Sequence, residues 1–309
     1  MKSVTPDTEI LTINGWCLSD KLTKQDKIAQ INYKLDKNIS FLSPININNS
    51  IEEYLYLFSS INNAFSQIIT RNTIVHIKTN EFSPIYFDYA KNINYTNNSF
   101  IYCSGYKLDG KNKLDILDKI LTLISISNGI IKETKEEFVF GFTSLALGND
   151  IKIINLAKEL DLKPKWNKRG NYCLELTVNK NLINQLDIFN LNWIELDKVN
   201  HDWIINFITM LHELTTAPRL KKLDLLQYRS NNKKEIEKLQ GLCAIAGINS
   251  KLISILTKKN KYLLEMIDNP LKKCQDINRD IFPYYDEVIN INTLDNGIII
   301  KHGDNVSIL

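Results

Sequence analysis

The chain has 309 residues, 44% hydrophobic and 24% charged, with 38 Lys and Arg against 35 Asp and Glu for a net charge of +3. These numbers fit an ordinary globular protein of two modest domains, or of one domain with an insertion, and are too weakly basic to argue alone for a phosphate-rich partner. Five scattered cysteines without a CxxC or paired Cys/His spacing argue against a zinc site or disulfide framework, and neither a secretory h-region nor a membrane-length apolar run is present.

Residues 1 to about 110 read as β-rich. TEILTI, NTIVHIKT, PIYFDY and SFIYC are short β-branched and aromatic runs with period-two character, parted by turn residues at Asn14-Gly15, Pro44, Pro84 and Asn97-Asn98. One helix is expected among them, in SIEEYLYLFSSINNAF (50–65), with Ser50 as its cap. From about Lys111 the rhythm becomes helical. KLDILDKILTLISIS runs up to Asn128-Gly129, FVFGFTS is strand-like, and NDIKIINLAKELDL is an amphipathic helix capped by Asn149 or Asp150. NYCLELTV follows as a strand and NKNLINQLDIF as a helix. HDWIINFITMLHEL is helical again, LDLLQYRS extended, and NKKEIEKLQGLCAIAGI helical with Gly247 as a stop. The alternation across 115–190 and 200–262 predicts two related α+β halves. After Pro270 come EVININT, a turn at Asp295-Asn296-Gly297, and IIIKH. That hairpin is too small to stand alone and is expected to complete the sheet begun at the N-terminus.

The border segments carry a resemblance. Val4-Thr5-Pro6-Asp7-Thr8-Glu9-Ile10-Leu11-Thr12, closing with Asn14-Gly15-Trp16, resembles the opening block of Hint-fold inteins of the phage terminase type. Asp286-Glu287-Val288-Ile289-Asn290-Ile291, Gly297 and Lys301-His302-Gly303 resemble the closing blocks. The centre is similar to the LAGLIDADG homing endonucleases that many inteins carry, with motifs at Leu121–Gly129 and Phe207–Ala217, and with Tyr228-Arg229-Ser230, Lys234–Gln240 and Ala246-Gly247-Ile248 in the second half. The resemblance implies an α+β chain. A split, horseshoe-shaped all-β Hint domain of residues 1–110 and 263–309 would hold an inserted pseudo-twofold LAGLIDADG-like α+β domain of residues 111–262.

It also implies chemistry that key positions do not support. Ser3 aligns with the residue whose thiol or hydroxyl attacks the preceding carbonyl, but with only two residues before it, a surface serine is expected. The Thr-x-x-His block corresponds to Thr70-Arg71-Asn72-Thr73, so Thr73 stands where an imidazole would polarise the amide. His76 lies three residues on, and strand alternation sets it on the other face. Asn290 occupies a position often held by a catalytic Asp or Cys, and the closing Val306-Ser307-Ile308-Leu309 lacks the cyclising Asn. In the endonuclease motifs Asn128 and Thr216 replace the two metal-binding acids, removing the anionic oxygens that a hard cation needs. Asp118 and Glu213 lie too early in their helices to substitute. No catalytic set is intact. No cofactor is expected, and magnesium would enter only if cleavage survived.

Binding remains. The resemblance implies that a curved sheet faces duplex DNA. Lys163, Lys165, Trp166, Lys168 and Arg169 precede one strand of the first half. Arg219, Lys221 and Lys222, with Gln227 and Arg229 on the next strand, hold the matching place in the second, and Lys258, Lys259 and Lys261 form a third cluster. Cations at matching places of both halves suit a two-sided phosphate clamp, although solvated turns produce the same pattern. Three readings follow: a catalytically inactive nucleic-acid-binding protein, a structural or interaction subunit of a viral or phage assembly or enzyme complex, and an active endonuclease with displaced metal ligands. Double-stranded DNA or a protein complex is the expected partner, with no membrane and no evident small-molecule substrate. The expected location is the host cytoplasm or a virion, and the Asn, Ile and Lys bias reflects AT-rich coding.

Overall fold

The computed structural model describes residues 2–33, 37–60, 66–79, 83, 85–93, 99–143, 148–167, 173–183, 191–215, 226–255, 261–267, 269, 271–274, 277–293 and 297–309, with only the backbone described at 60, 99, 100, 272–274 and 277. Its strands are β1 (Lys2–Val4), β2 (Glu9–Thr12), β3 (Gly15–Leu18), β4 (Ile28–Asn32), β5 (Asn38–Leu42), β6 (Asn46–Ser60), β7 (Ser66–Thr70), β8 (Ile74–Lys78), β9 (Tyr86–Tyr89) and β10 (Ser99–Tyr102). A second group alternates with helices: α1 (Ile116–Ser125), β11 (Ile130–Glu133), β12 (Glu137–Phe142), α2 (Asn149–Glu159), β13 (Lys163–Asn167), β14 (Cys173–Asn179), α3 (His201–Thr215), β15 (Leu226–Ser230), α4 (Lys233–Ala244), β16 (Asn249–Ser254) and β17 (Tyr262–Ile267). The chain closes with β18 (Leu271–Cys274), β19 (Ile277–Asn292), β20 (Gly297–His302) and β21 (Asn305–Ile308). Strands thus predominate, with four α-helices among the described residues, and none of these helices is long and apolar enough to cross a membrane.

The segment expected to be a helix at 50–65 is strand β6 as far as Ser60, and Ser50 caps nothing. Its apolar residues at 51, 55 and 58 match a helical face, yet Tyr54, Leu55, Tyr56, Leu57 and Phe58 are equally good strand residues. Pairing decides between them. β6 runs antiparallel to β19 from Asn46↔Asn292 to Ser60↔Ile277, and β1 and β7 complete a closed four-stranded ring. Two other details differ. Asn149 is the first residue of α2, behind a left-handed Gly148, instead of its cap, and only Lys180–Leu182 of the expected helix at 179–189 is a short 3-10 turn, residues 184–190 lying outside the described set.

In the central region two stretches each run a helix, then strand–helix–strand–strand, among the described residues. The first is α1-β11-β12-α2-β13-β14, with strand order β11-β12-β14-β13. The second is α3, the undescribed 216–225, β15-α4-β16-β17, with order β15-β17-β16. Corresponding strands therefore sit in corresponding places. Each sheet packs one face on its helices: Phe140, Phe142, Leu174, Leu176 and Val178 against α1 and α2, and Tyr228, Leu252, Leu264 and Met266 against α3 and α4. β17 crosses the 262/263 border expected between insertion and scaffold, because it lies between β15 and β16.

The central region and the strands that flank it in sequence are joined by hydrogen bonds and charge. The link at 104–107 is held to the end of α4 by Gly105 N–H to the Ala244 carbonyl, Lys107 N–H to Ile245 and Gly247 N–H to Gly105. Gly247 has a left-handed φ of 75°, and a Cβ there would lie 2.2 Å from the Tyr106 ring. On the other side Lys301, 2% exposed, reaches Glu9 on β2 at 2.7 Å and Glu237 on α4 at 3.0 Å, while the Trp16 indole donates to the Glu237 carbonyl. β16 also pairs with β21 at Lys251↔Asn305, so one sheet runs from the central region into the closing strands.

Candidate functional site

Two border positions, Ser3 and Asn290, meet an internal turn and Ser50 of β6 in space. β1 pairs with β19 so that Ser3 faces Asn290. Ser3 Oγ donates to Asn290 Oδ1 at 2.6 Å, and Asn290 Nδ2 donates to Ser50 Oγ at 2.8 Å. Thr73 Oγ1 donates to the Ser3 carbonyl at 3.2 Å and accepts from its N–H at 3.3 Å. Thr70 and Thr73 share a hydroxyl–hydroxyl bond of 3.1 Å in the turn between β7 and β8. Ser3, Thr70, Thr73 and Asn290 are all buried, at 2%, 1%, 0% and 2% exposure. The expectation of a surface Ser3 is overturned, because pairing to β19 draws β1 inside. Hydroxyls and one carboxamide satisfy each other in this node, and none of them titrates near neutral pH.

His76 is not part of it. Within β8 its ring stacks on Tyr33 with centroids 4.1 Å apart, and Phe87 lies on the neighbouring strand at 6.1 Å. Burial, with the Lys2 ammonium adding to it, pushes the imidazole down from 6.5 to about 3. His76 is therefore a neutral aromatic layer of the core at ordinary pH.

The motif-end residue is described for α1 and not for α3. Asn128 follows α1, and its Oδ1 accepts from the backbone N–H and the hydroxyl of Thr143 at 2.5 and 2.9 Å. Its own N–H donates to the Gly141 carbonyl. The carboxamide is thus tied to the end of β12. Thr216 lies outside the described residues. Asp118 sits at the opposite end of α1, where it closes a capping box with Asp115, accepts from the Trp203 indole at 2.8 Å and pairs with Lys111 at 2.6 Å. Glu213 is exposed and lines a shallow groove between α1 and α3 with Lys113, Lys119 and Met210. Among the described residues no three His, Cys, Asp or Glu side chains gather as a cation site.

The outer faces of the two half-sheets carry the charged residues. On the first, Lys163 pairs with Thr177, Lys165 with Glu175 and Asn167 with Cys173, and the Asn167 amide donates to Glu175 Oε1 at 2.7 Å. Trp166 is in register with the buried Leu174, so the pleat sends it to the opposite face from the two lysines. On the second, Glu265 of the middle strand β17 pairs with Lys251 on one side and with Gln227 on the other, and the Gln227 amide donates to Glu265 Oε1 at 3.2 Å. Arg229 is exposed on the same strand as Gln227. β13 and β14 correspond to β16 and β17, so Lys165–Glu175 and Lys251–Glu265 are equivalent pairs of the repeat. Glu175, Lys251 and Glu265 were not singled out in the sequence, although alternation within NYCLELTV already sets Glu175 opposite the apolar face. Lys168, Arg169, Arg219, Lys221, Lys222, Lys258 and Lys259 lie outside the described residues.

No family model matches the chain. No curated protein matches it either. Among solved structures it is similar to a splice-inactive variant of the AceL NrdHF class 3 split intein, at 20% identity and a TM-score of 0.30, over 33% of this chain and 65% of that one. The chain thus spans less than two thirds of that intein's length. It is also similar to I-DmoI in complex with DNA and Mn, at 20% identity and a TM-score of 0.33, over 49% of this chain and 88% of that one. Mesophilic variants of the homing endonuclease I-DmoI give 19% identity, a TM-score of 0.33 and the same coverage.

Proposed function

We propose that the chain binds double-stranded DNA without cutting it, and descends from an intein carrying a LAGLIDADG homing endonuclease. In this reading residues 1–110 and 263–309 form the Hint-type scaffold and 111–262 the former endonuclease. The repeated Lys–Glu pair carries it: Lys165↔Glu175 and Lys251↔Glu265 stand at equivalent positions of two half-sheets. A duplex presents two phosphate strands, and two equivalent cations can meet one each. Beside each pair an amide, Asn167 or Gln227, is fixed on the same carboxylate, which suits base-edge contact. Loss of chemistry is supported by the neutral side chains of the polar node and by the Asn128 carboxamide, whose oxygen is occupied by Thr143. Magnesium has a place only if cleavage survives elsewhere.

Mobility-shift titration of a duplex library at two salt concentrations tests the assignment. Lys165→Ala and Lys251→Ala should each weaken binding uniformly and lower the salt slope by about 1. Unchanged slopes in both variants would remove these faces as the DNA surface.

A further inference from the structure

Residues 46–60 and 280–292 contain Glu52, Glu53, Asp280, Asp286 and Glu287 and not one Lys or Arg, in a chain of net charge +3. These segments are β6 and most of β19, paired along their length. Beyond that pairing, β7 covers the outer edge of β6 only at Leu55–Ser59, and β1 covers that of β19 only at Ile289–Ile291. The outer edge of β6 at 49–54 and that of β19 at 281–288 have no third strand among the described residues. This stretch exposes Ile51 at 78%, Tyr285 at 72%, Ile281 at 53% and Tyr54 at 45%. Ile51 stands opposite Glu287, and a register shift between Pro283 and Asp286 brings the Tyr285 ring to 6.4 Å from Tyr54. The adjoining cation, Arg279, is committed, donating to the carbonyls of Lys91 and Ile93.

A two-stranded ribbon with open edges and large bare apolar groups is marginal in water and takes up a further strand readily. The carboxylates decide which strand. We propose that the β6–β19 ribbon docks an extended, Lys- and Arg-rich segment of a partner protein. Its backbone would add to the open edge, its apolar side chains would cover Tyr54 and Tyr285 on one face of the ribbon, and its cations would meet Glu53 and Glu287, which flank Ile51, on the other. The same carboxylates repel duplex DNA. This surface is therefore separate from the one assigned to Lys165 and Lys251, and it stands or falls independently of DNA binding.

The test is fluorescence anisotropy of the full chain with two dye-labelled ten-residue peptides, one alternating Lys with Val and one alternating Glu with Val. The Lys–Val peptide should bind and the Glu–Val peptide should not. Glu53→Lys combined with Glu287→Lys should weaken Lys–Val binding about tenfold or more, while duplex binding is retained. If the double charge reversal fails to fold, Tyr285→Ser should weaken the peptide and leave the circular dichroism melt unchanged. Absent binding, equal binding of both peptides, indifference to these variants, or a dimer in sedimentation that Tyr285→Ser dissolves would overturn the proposal.

Discussion

The polar node around Ser3 and the end of α1 differ in how they hold their neutral side chains. In the node, Ser3, Thr70, Thr73 and Asn290 come from three separate places in the sequence and still converge, each bonded to another. At the end of α1, Asn128 bonds to its own sheet strand at Thr143. One site gathers neutral side chains from distant strands, and the other ties its side chain to a nearby strand of its own sheet. The difference follows from burial. A buried hydroxyl or amide without a partner costs about 1–3 kcal/mol, so the node's members hold one another in place, whereas an exposed amide can turn to any nearby donor.

The largest expected effect is in the node. Asn290→Leu strands the Ser3 and Ser50 hydroxyls and should cost about 3 kcal/mol in urea unfolding. A loss below about 0.5 kcal/mol would show that the node does not hold the borders together.

His76 gives the next largest effect. Its folded value is depressed, so the unfolded chain binds the extra proton, and stability present above pH 6.5 falls as the pH drops toward 3. At about 1.4 kcal/mol per pH unit the loss between pH 7 and pH 5 should be about 2 kcal/mol. His76→Phe should flatten that slope. A slope unchanged by the substitution would place the titrating group elsewhere and reopen a link between His76 and the node.

The smallest effect sharpens the contrast. Asn128→Ala removes an exposed acceptor and should cost only about 0.5 kcal/mol, with faster hydrogen exchange confined to the Thr143 amide. A global loss as large as that of Asn290→Leu would erase the distinction between the two sites.

Much of this architecture is legible in the sequence, for a physical reason. The four described α-helices carry amphipathic periodicity and the closing hairpin carries a turn signal, both local properties. β6 is not legible, since Ile51, Leu55 and Phe58 satisfy a helix and a strand alike, and only β19, more than 200 residues away, settles it. The Ser3–Asn290 contact spans 287 residues and depends on the same long-range register. Lys163, Lys165 and Trp166 read as one basic–aromatic stretch, but the pleat divides them between two faces. The equivalence of Lys165–Glu175 and Lys251–Glu265 emerges only when strand order superimposes the halves.

The most direct test incubates the chain, in excess, with a supercoiled plasmid and a duplex library in magnesium and then in manganese, following retardation and strand integrity together. The account predicts a salt-sensitive shift with every strand intact. Nicked or linear DNA, or the absence of any shift at low salt, would contradict it.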